Sequence, residues 1–247
     1  MPSQNGTSPK PISIRAVFFD LDGTLRHDSP ASSQIFFDSA VKLGAPDLPT
    51  NRVQALRWAH AYWANHDELA EQDFTQYAGS TPEFWRNYAF RYLTAYGCDQ
   101  EQALALAPQV HAHMSEHFKP ENTLAPDAHI TLSRLRDEGY TLGLITNRSR
   151  PVQEEMETLG IAHYFDLILA AGEVQSFKPA PEIFDHALNR VGVQPQASLY
   201  VGDNYYADIV GAARVGMIPV LLDPDRVFPE ADCAVVNSLA EIHSLLA

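Results

Sequence analysis

Two cysteines, Cys98 and Cys233, are all that 247 residues contain. That is too few for a disulfide framework or a cysteine-held metal cluster, and they read as reduced thiols. Long apolar runs are also missing. Nothing approaches the roughly eighteen residues that a membrane helix needs, so no membrane partner is expected. The first residues, MPSQNGTSPKP, lack the apolar stretch of a secretion signal, which points to a cytoplasmic protein. Positive charge is scarce: 17 Lys and Arg face 31 Asp and Glu, for a net charge of −14. Such a field opposes binding to a nucleic-acid backbone. Any anionic ligand needs a local cation to overcome it.

What the sequence does hold is an alternation of two rhythms. Ile12 to Phe19 is a dense apolar run ending in Asp20, the pattern of a buried strand. From about 28 to 122 the periodicity is helical. Helices are expected over Ser33–Leu43, over Arg52 to about Leu69 with Asn51 as cap, over Pro82–Tyr96 behind the capping Thr81, and over Gln100–Phe118 with a break or kink at Pro108. After Pro126 strand and helix alternate. Strands are expected at Thr141–Thr146, Leu167–Ala170, Ser198–Gly202, Ile218–Leu222 and Ala234–Val236, and helices at Ala128–Glu138, Val152–Leu159, Pro181–Val191 and Ala207–Val215. This predicts an α/β fold: a Rossmann-like parallel sheet with helices on both faces, plus an inserted all-helical cap domain. The core comprises 12–27 and 123–247, and the insert 28–122.

In open α/β sheets, function gathers at the carboxyl ends of the strands. Those ends carry Asp20 and Asp22, then Thr146-Asn147, then Gly202-Asp203 with Asp208 five residues on; Lys178 stands in the loop before another helix. Two like charges at the end of a buried strand are costly unless something pairs with them. Clustered acids suit Mg²⁺, which prefers oxygen ligands and commonly enters with a phosphate.

In sequence order, Asp20-Leu21-Asp22-Gly23-Thr24-Leu25, the strand ending in Thr146, Lys178-Pro179-Ala180-Pro181-Glu182-Ile183-Phe184, and Gly202-Asp203 through Asp208 resemble the four motifs of the haloacid dehalogenase superfamily. The likeness is to its phosphatase branch with a small helical cap, the phosphoglycolate phosphatase type. It implies Asp20 as the nucleophile that forms an aspartyl-phosphate, and Asp22 as the general acid and later base, its pKa raised by a neighbouring carboxylate. It further implies Mg²⁺ held by Asp20, the backbone carbonyl of Asp22 and Asp203, with Asp208 orienting that set. Thr146 and the Asn147 N–H would hold phosphate oxygens, and Lys178 would neutralise charge. Gly23 permits the turn and Thr24 fixes it. Dehalogenation needs no second acid because halide leaves without a proton, so Asp22 favours phosphate chemistry.

The resemblance implies a Mg²⁺-dependent hydrolase of a small phosphorylated metabolite, acting as a monomer or homodimer. A phosphomutase on the same scaffold and a catalytically silent binding module are the alternatives. A phosphonate hydrolase would need a Schiff-base amine in the insert, and its two lysines, Lys42 and Lys119, lie near its ends. All three tryptophans, Trp58, Trp63 and Trp85, fall in the insert. With Tyr62, Tyr88, Tyr92 and Tyr96 they suit a packed bundle core, or in part a pocket wall. His113 and His117 lack an evident third ligand for a zinc site. Arg57, Arg86 and Arg91 are candidates to read a second anionic group on the substrate.

Overall fold

The structure, a computed structural model, describes residues 13–246. The polar N-terminal segment and the expected strand start at Ile12 lie outside the described residues. Strand β1 (Ala16–Phe19) leads to β2 (Arg26–Ser29) and five helices: α1 (Ser32–Lys42), α2 (Pro49–Trp63), α3 (Leu69–Gln76), α4 (Pro82–Ala95) and α5 (Gln100–His117). The chain returns through β3 (Glu121–Leu124), α6 (Ala128–Asp137), β4 (Thr141–Thr146), α7 (Gln153–Thr158), β5 (Leu167–Ala170) and α8 (Ala171–Val174). It ends with α9 (Pro181–Val191), β6 (Ser198–Gly202), a π-turn at Tyr205–Ile209, α10 (Val210–Arg214), β7 (Ile218–Leu222), β8 (Ala234–Val236) and a 3₁₀ stretch at Leu239–Leu245.

Six parallel strands make the main sheet, in the order β5-β4-β1-β6-β7-β8. Alternation along β1 divides the core in two, because successive side chains of a strand point to opposite faces. Val17 and Phe19 pack with Leu132 and Leu135 of α6 and Met156 of α7. Ala16 and Phe18 pack with Ile183, Phe184 and Leu188 of α9 and Ala212 of α10. Helices therefore cover both faces, as the sequence predicts. With β1 central, between β4 and β6, the carboxyl ends of those three strands lie side by side. Gly143 on β4 has a steric reason: a Cβ there would run into the Phe18 ring.

The five helices of the insert bury their own apolar faces against one another. Phe36, Phe37, Tyr92, Leu93 and Tyr96 centre one cluster, and Tyr62 and Phe84 a smaller one. Four local expectations differ from what forms. The helix expected from Arg52 to Leu69 is two helices, since Asn65 and Glu68 take positive φ (50° and 61°) and turn the chain before α3. Asn51 does not cap α2; Pro49 takes the first helical position, where its missing N–H costs nothing. Pro108 does not break α5, because it sits on the exposed side, where the carbonyl it leaves unpaired can turn to water. The insert also begins and ends on a two-stranded antiparallel ribbon of β2 and β3, unforeseen because Arg26–Ser29 and Glu121–Leu124 carry almost no apolar residues. Thr81 does cap α4, accepting from Phe84 N–H at 3.2 Å.

Helix α2 rests on the core. Val53 and Leu56 pack on a cluster of Ile209, Leu221, Val227 and Phe228. Arg57 donates to the Val227 carbonyl at 2.5 Å and to Glu230 at 2.8 Å, and Asn204 Nδ2 donates to the His60 carbonyl at 3.1 Å. Among the described residues, no helix is long and apolar enough to cross a membrane.

Candidate active site

Asp20 follows the last residue of β1 and is buried, with its backbone N–H donating to the Val201 carbonyl of β6 at 2.9 Å. Lys178 comes from the loop before α9 and buries its whole side chain alongside it. Its ammonium donates to Asp20 Oδ1 at 2.5 Å, to Asp208 Oδ1 at 2.6 Å and to the Tyr200 hydroxyl at 3.0 Å. Burial works against the charged amine, but Asp20 and Asp208 outweigh it and hold Lys178 well above its ordinary 10.5. The loop that carries it is fixed by Asn147. That side chain accepts from Lys178 N–H at 2.7 Å and donates to the Lys178 carbonyl at 3.0 Å.

Asp203 sits just beyond the end of β6. Among the described residues its one side-chain hydrogen-bond partner is Thr24, whose hydroxyl donates to Oδ1 at 3.1 Å. Gly23 takes φ +91°, and a Cβ there would collide with the Asp203 carboxylate, so the turn after β1 needs glycine twice over. Oxygens of Asp20, Asp203 and Asp208 all lie within 4.8 Å of one another. Burial pushes Asp20 up to about 7 in spite of Lys178. Burial, then the charges of Asp20 and Asp208, hold Asp203 well above the ordinary 3.8.

The three acids are not equivalent. Asp208 has its partners: Lys178 at Oδ1, and the Asn204 N–H at Oδ2 (3.0 Å). Among the described residues, no Lys, Arg or His forms a salt bridge with Asp203. A half-buried carboxylate beside a buried one, bonded by a single hydroxyl, is a donor set that fits a hard divalent cation. Asp208, expected to orient the metal's ligands, lies within the acid group and also grips the lysine.

Asp22 differs from expectation. Its nearest charges are not carboxylates but guanidinium groups. Arg148 Nε and NH2 donate to its two oxygens, both at 2.6 Å, and Arg26 adds a third bond at 3.2 Å. Neither oxygen is free to carry a proton to a leaving group until the Arg148 fork opens. Thr146 is buried at the end of β4, its hydroxyl accepting from Arg148 N–H at 3.4 Å.

Sequence reasoning missed Arg148 and Tyr200. Arg148 stands two residues past Thr146, a position whose link to Asp22 crosses 126 residues. Tyr200 shares the α9 face of the sheet and is fully buried; its hydroxyl lies 3.2 Å from both the Ile145 carbonyl and Asp208. One tyrosine in an otherwise aliphatic strand, Ser198-Leu199-Tyr200-Val201-Gly202, was the available signal.

Above the acids lies a cavity of about 850 Å³ between core and insert, with Asp22, Gly23 and Asp203 at its floor. The arginines expected to reach into it do not line it. Arg57 ties α2 to the core, Arg86 pairs with Glu83, and Arg91 pairs with the buried Asp73 at 2.8 Å. Of the aromatics, Trp58, Tyr62 and Tyr96 pack inside the bundle, whereas Trp63, Trp85, Tyr88 and Tyr92 line the cavity. The His113 and His117 rings stack 4.2 Å apart, and a Glu116 oxygen lies 3.9 Å from His117 Nδ1.

The resemblance extends beyond the motifs. The family of haloacid dehalogenase-like hydrolases matches residues 14–216. A glyceraldehyde 3-phosphate phosphatase of Methanopyrus kandleri is 32% identical over 214 residues, covering 84% of this chain and 83% of that one. A phosphoserine phosphatase of Thermus thermophilus is 30% identical over 232 residues, covering 85% and 89%. In three dimensions the chain is similar to a HAD phosphatase from Thermococcus onnurineus, with a TM-score of 0.56, 26% identity and coverage of 95% of this chain and 98% of that one. A family match over most of the length, joined to relatives and a solved structure that span nearly the whole of it, makes this chain a member of the haloacid dehalogenase-like hydrolases.

Proposed function

We propose that the protein is a Mg²⁺-dependent phosphomonoester hydrolase that works through a phosphorylated Asp20, with the insert over residues 28–122 serving as a cap domain above the site. The observation that carries this reading is the group Lys178–Asp20–Asp203 past the carboxyl ends of β1 and β6, where Lys178 and Asp20 are buried and paired and Asp203, half-buried, has no salt-bridge partner among the described residues. Relatives that are phosphatases support the choice of phosphate ester. The two unpaired thiols and the lack of a membrane-crossing helix among the described residues fit a cytosolic enzyme.

Lys178 occupies Oδ1 of Asp20, which leaves Oδ2 as the oxygen that attacks phosphorus. The ammonium also offsets charge on the phosphoryl group as it transfers, in a protein at −14. Tyr200, Asp208 and the Asn147 clasp hold that ammonium in place, so it pays no reorganisation cost during the reaction. The Thr146 hydroxyl and the Asn147 N–H receive phosphate oxygens. Asp22 gives a proton to the leaving oxygen once Arg148 lets go, and takes one from water when the phospho-aspartate is hydrolysed. Asp20, Asp203 and the Asp22 carbonyl would hold Mg²⁺, which supplies Lewis-acid polarisation of the phosphoryl oxygens.

Chelator is expected to stop turnover of a generic phosphate ester, and Mg²⁺ to restore it and raise the melting temperature of the chelated protein. Ca²⁺ should raise the melting temperature without restoring the rate, since it takes more ligands at longer distances than in-line transfer tolerates. Full activity in excess chelator would contradict the metal assignment.

A further inference from the structure

Some relatives are named for short phosphorylated chains, a glyceraldehyde 3-phosphate phosphatase and a phosphoserine phosphatase among them, and another is an N-acylneuraminate-9-phosphatase. The cavity here is larger than the short chains need. Its volume of about 850 Å³ lies near the upper end of the ~300–1,000 Å³ usual for small-molecule sites, and a two- or three-carbon acid would leave most of it empty. Phe36, Trp63, Trp85, Tyr88, Tyr92 and Phe118 form much of its wall. Trp63 and Trp85 remain 41% and 39% exposed, far more than a bundle needs to leave open, and their ring centroids lie 6.0 Å apart. The Trp63 indole N–H donates to the Tyr88 hydroxyl at 3.1 Å and that of Trp85 to Ser80 at 2.8 Å. With those polar edges satisfied within the cap, the ring faces are what remains for a ligand.

Charge in the cavity selects as well. Among the described residues lining the cavity, the one Lys or Arg is Arg26. It is already engaged by Asp22, by Asp28 at 2.5 Å and by Asn122. The wall histidines take a positive charge less readily than a free imidazole does. Burial pushes His60 down to about 4 and, with a nearby arginine in each case, holds His27 and His111 below the ordinary 6.5. A carboxylate or second phosphate carried into this space would lose water and find no unengaged Lys or Arg among the described residues lining it, a cost that selects against it.

Resting on the phosphatase reading above, we infer that the substrate is a monophosphate ester of a neutral, bulky alcohol with a flat apolar or aromatic body, and that Trp63, Trp85 and Tyr88 recognise that body.

Four alkyl monophosphates whose oxygens leave comparably poorly separate body recognition from leaving-group chemistry: 2-phenylethyl phosphate, its 4-carboxyphenyl analogue, ethyl phosphate and phosphoglycolate. The expected kcat/KM for 2-phenylethyl phosphate is ~30-fold above ethyl phosphate and at least ~10-fold above its carboxylated analogue and phosphoglycolate. Trp85→Ala, checked by thermal melt for an intact fold, should shrink the phenylethyl-to-ethyl ratio about three- to tenfold. Equal or better use of ethyl phosphate or phosphoglycolate by the wild-type protein would overturn the inference and leave the phosphatase reading standing. An unchanged ratio in a folded Trp85→Ala would remove the tryptophan from recognition. No turnover of any of the four, nor of nitrophenyl phosphate with Mg²⁺, would overturn both.

Discussion

Asp20→Asn is expected to lose at least ~10⁴-fold in turnover and still fold. Asparagine keeps the shape but not the attacking oxyanion, and losses of this size follow removal of the nucleophile from a hydrolase. Stability should not fall with it. Lys178 retains Asp208 as a counter-ion at 2.6 Å, so its ammonium is not left alone in the core. The sign of the pH effect agrees. Burial raises Asp20 from 3.8 to about 7, so the folded protein binds this proton more tightly than the unfolded chain does. Stability contributed by the protonated form is therefore full below 3.8 and is lost as pH rises through about 7. An asparagine cannot ionise and escapes that loss. A melt of the metal-free variant at pH 8 should match or exceed that of the wild type. Substantial turnover in the folded variant would remove Asp20 from the nucleophile's role.

Lys178→Gln should cost both rate and fold. The wild-type ammonium lies between two buried carboxylates, and removing one partner of a buried ion pair costs about 3–5 kcal/mol because the remaining charges have no compensation. The double variant Lys178→Gln with Asp208→Asn removes one of those stranded charges and should regain part of the lost stability without regaining activity. That non-additivity, read by denaturant unfolding and a phosphatase assay, separates the two duties of the lysine. A Lys178→Gln protein as stable as the wild type would mean the ammonium is not the counter-ion it is taken to be.

Much of this site was legible because β-sheet physics concentrates its signals. An apolar run that stops at Asp20, another at Thr146 and a third at Gly202-Asp203 mark strand ends, and a parallel sheet brings such ends together. Lys178 was legible through its motif, and the structure places it against Asp20. What could not be read were pairings between side chains far apart in sequence whose residue types are ordinary on any surface. Arg148 looks like a solvated loop residue until it meets Asp22, and Tyr200 looks like one more strand aromatic until its hydroxyl meets Lys178. The same holds for the insert. Arg57 and Arg91 were sensible anion readers by charge, but tertiary partners had prior claim on them: the 223–230 segment for one, the buried Asp73 for the other. The break between α2 and α3 depends on two non-glycine residues at positive φ, a conformation no apolar periodicity announces.

The central claim is covalent catalysis at Asp20, and trapping the phosphoryl group tests it most directly. Mixing enzyme and Mg²⁺ with a ³²P-labelled alkyl phosphate, quenching in acid within a single turnover and mapping the labelled peptide should place the phosphate on Asp20, as an acyl phosphate that hydroxylamine cleaves. Label on another residue, or none on the protein across time points that span the whole turnover at single-turnover concentrations, would contradict it.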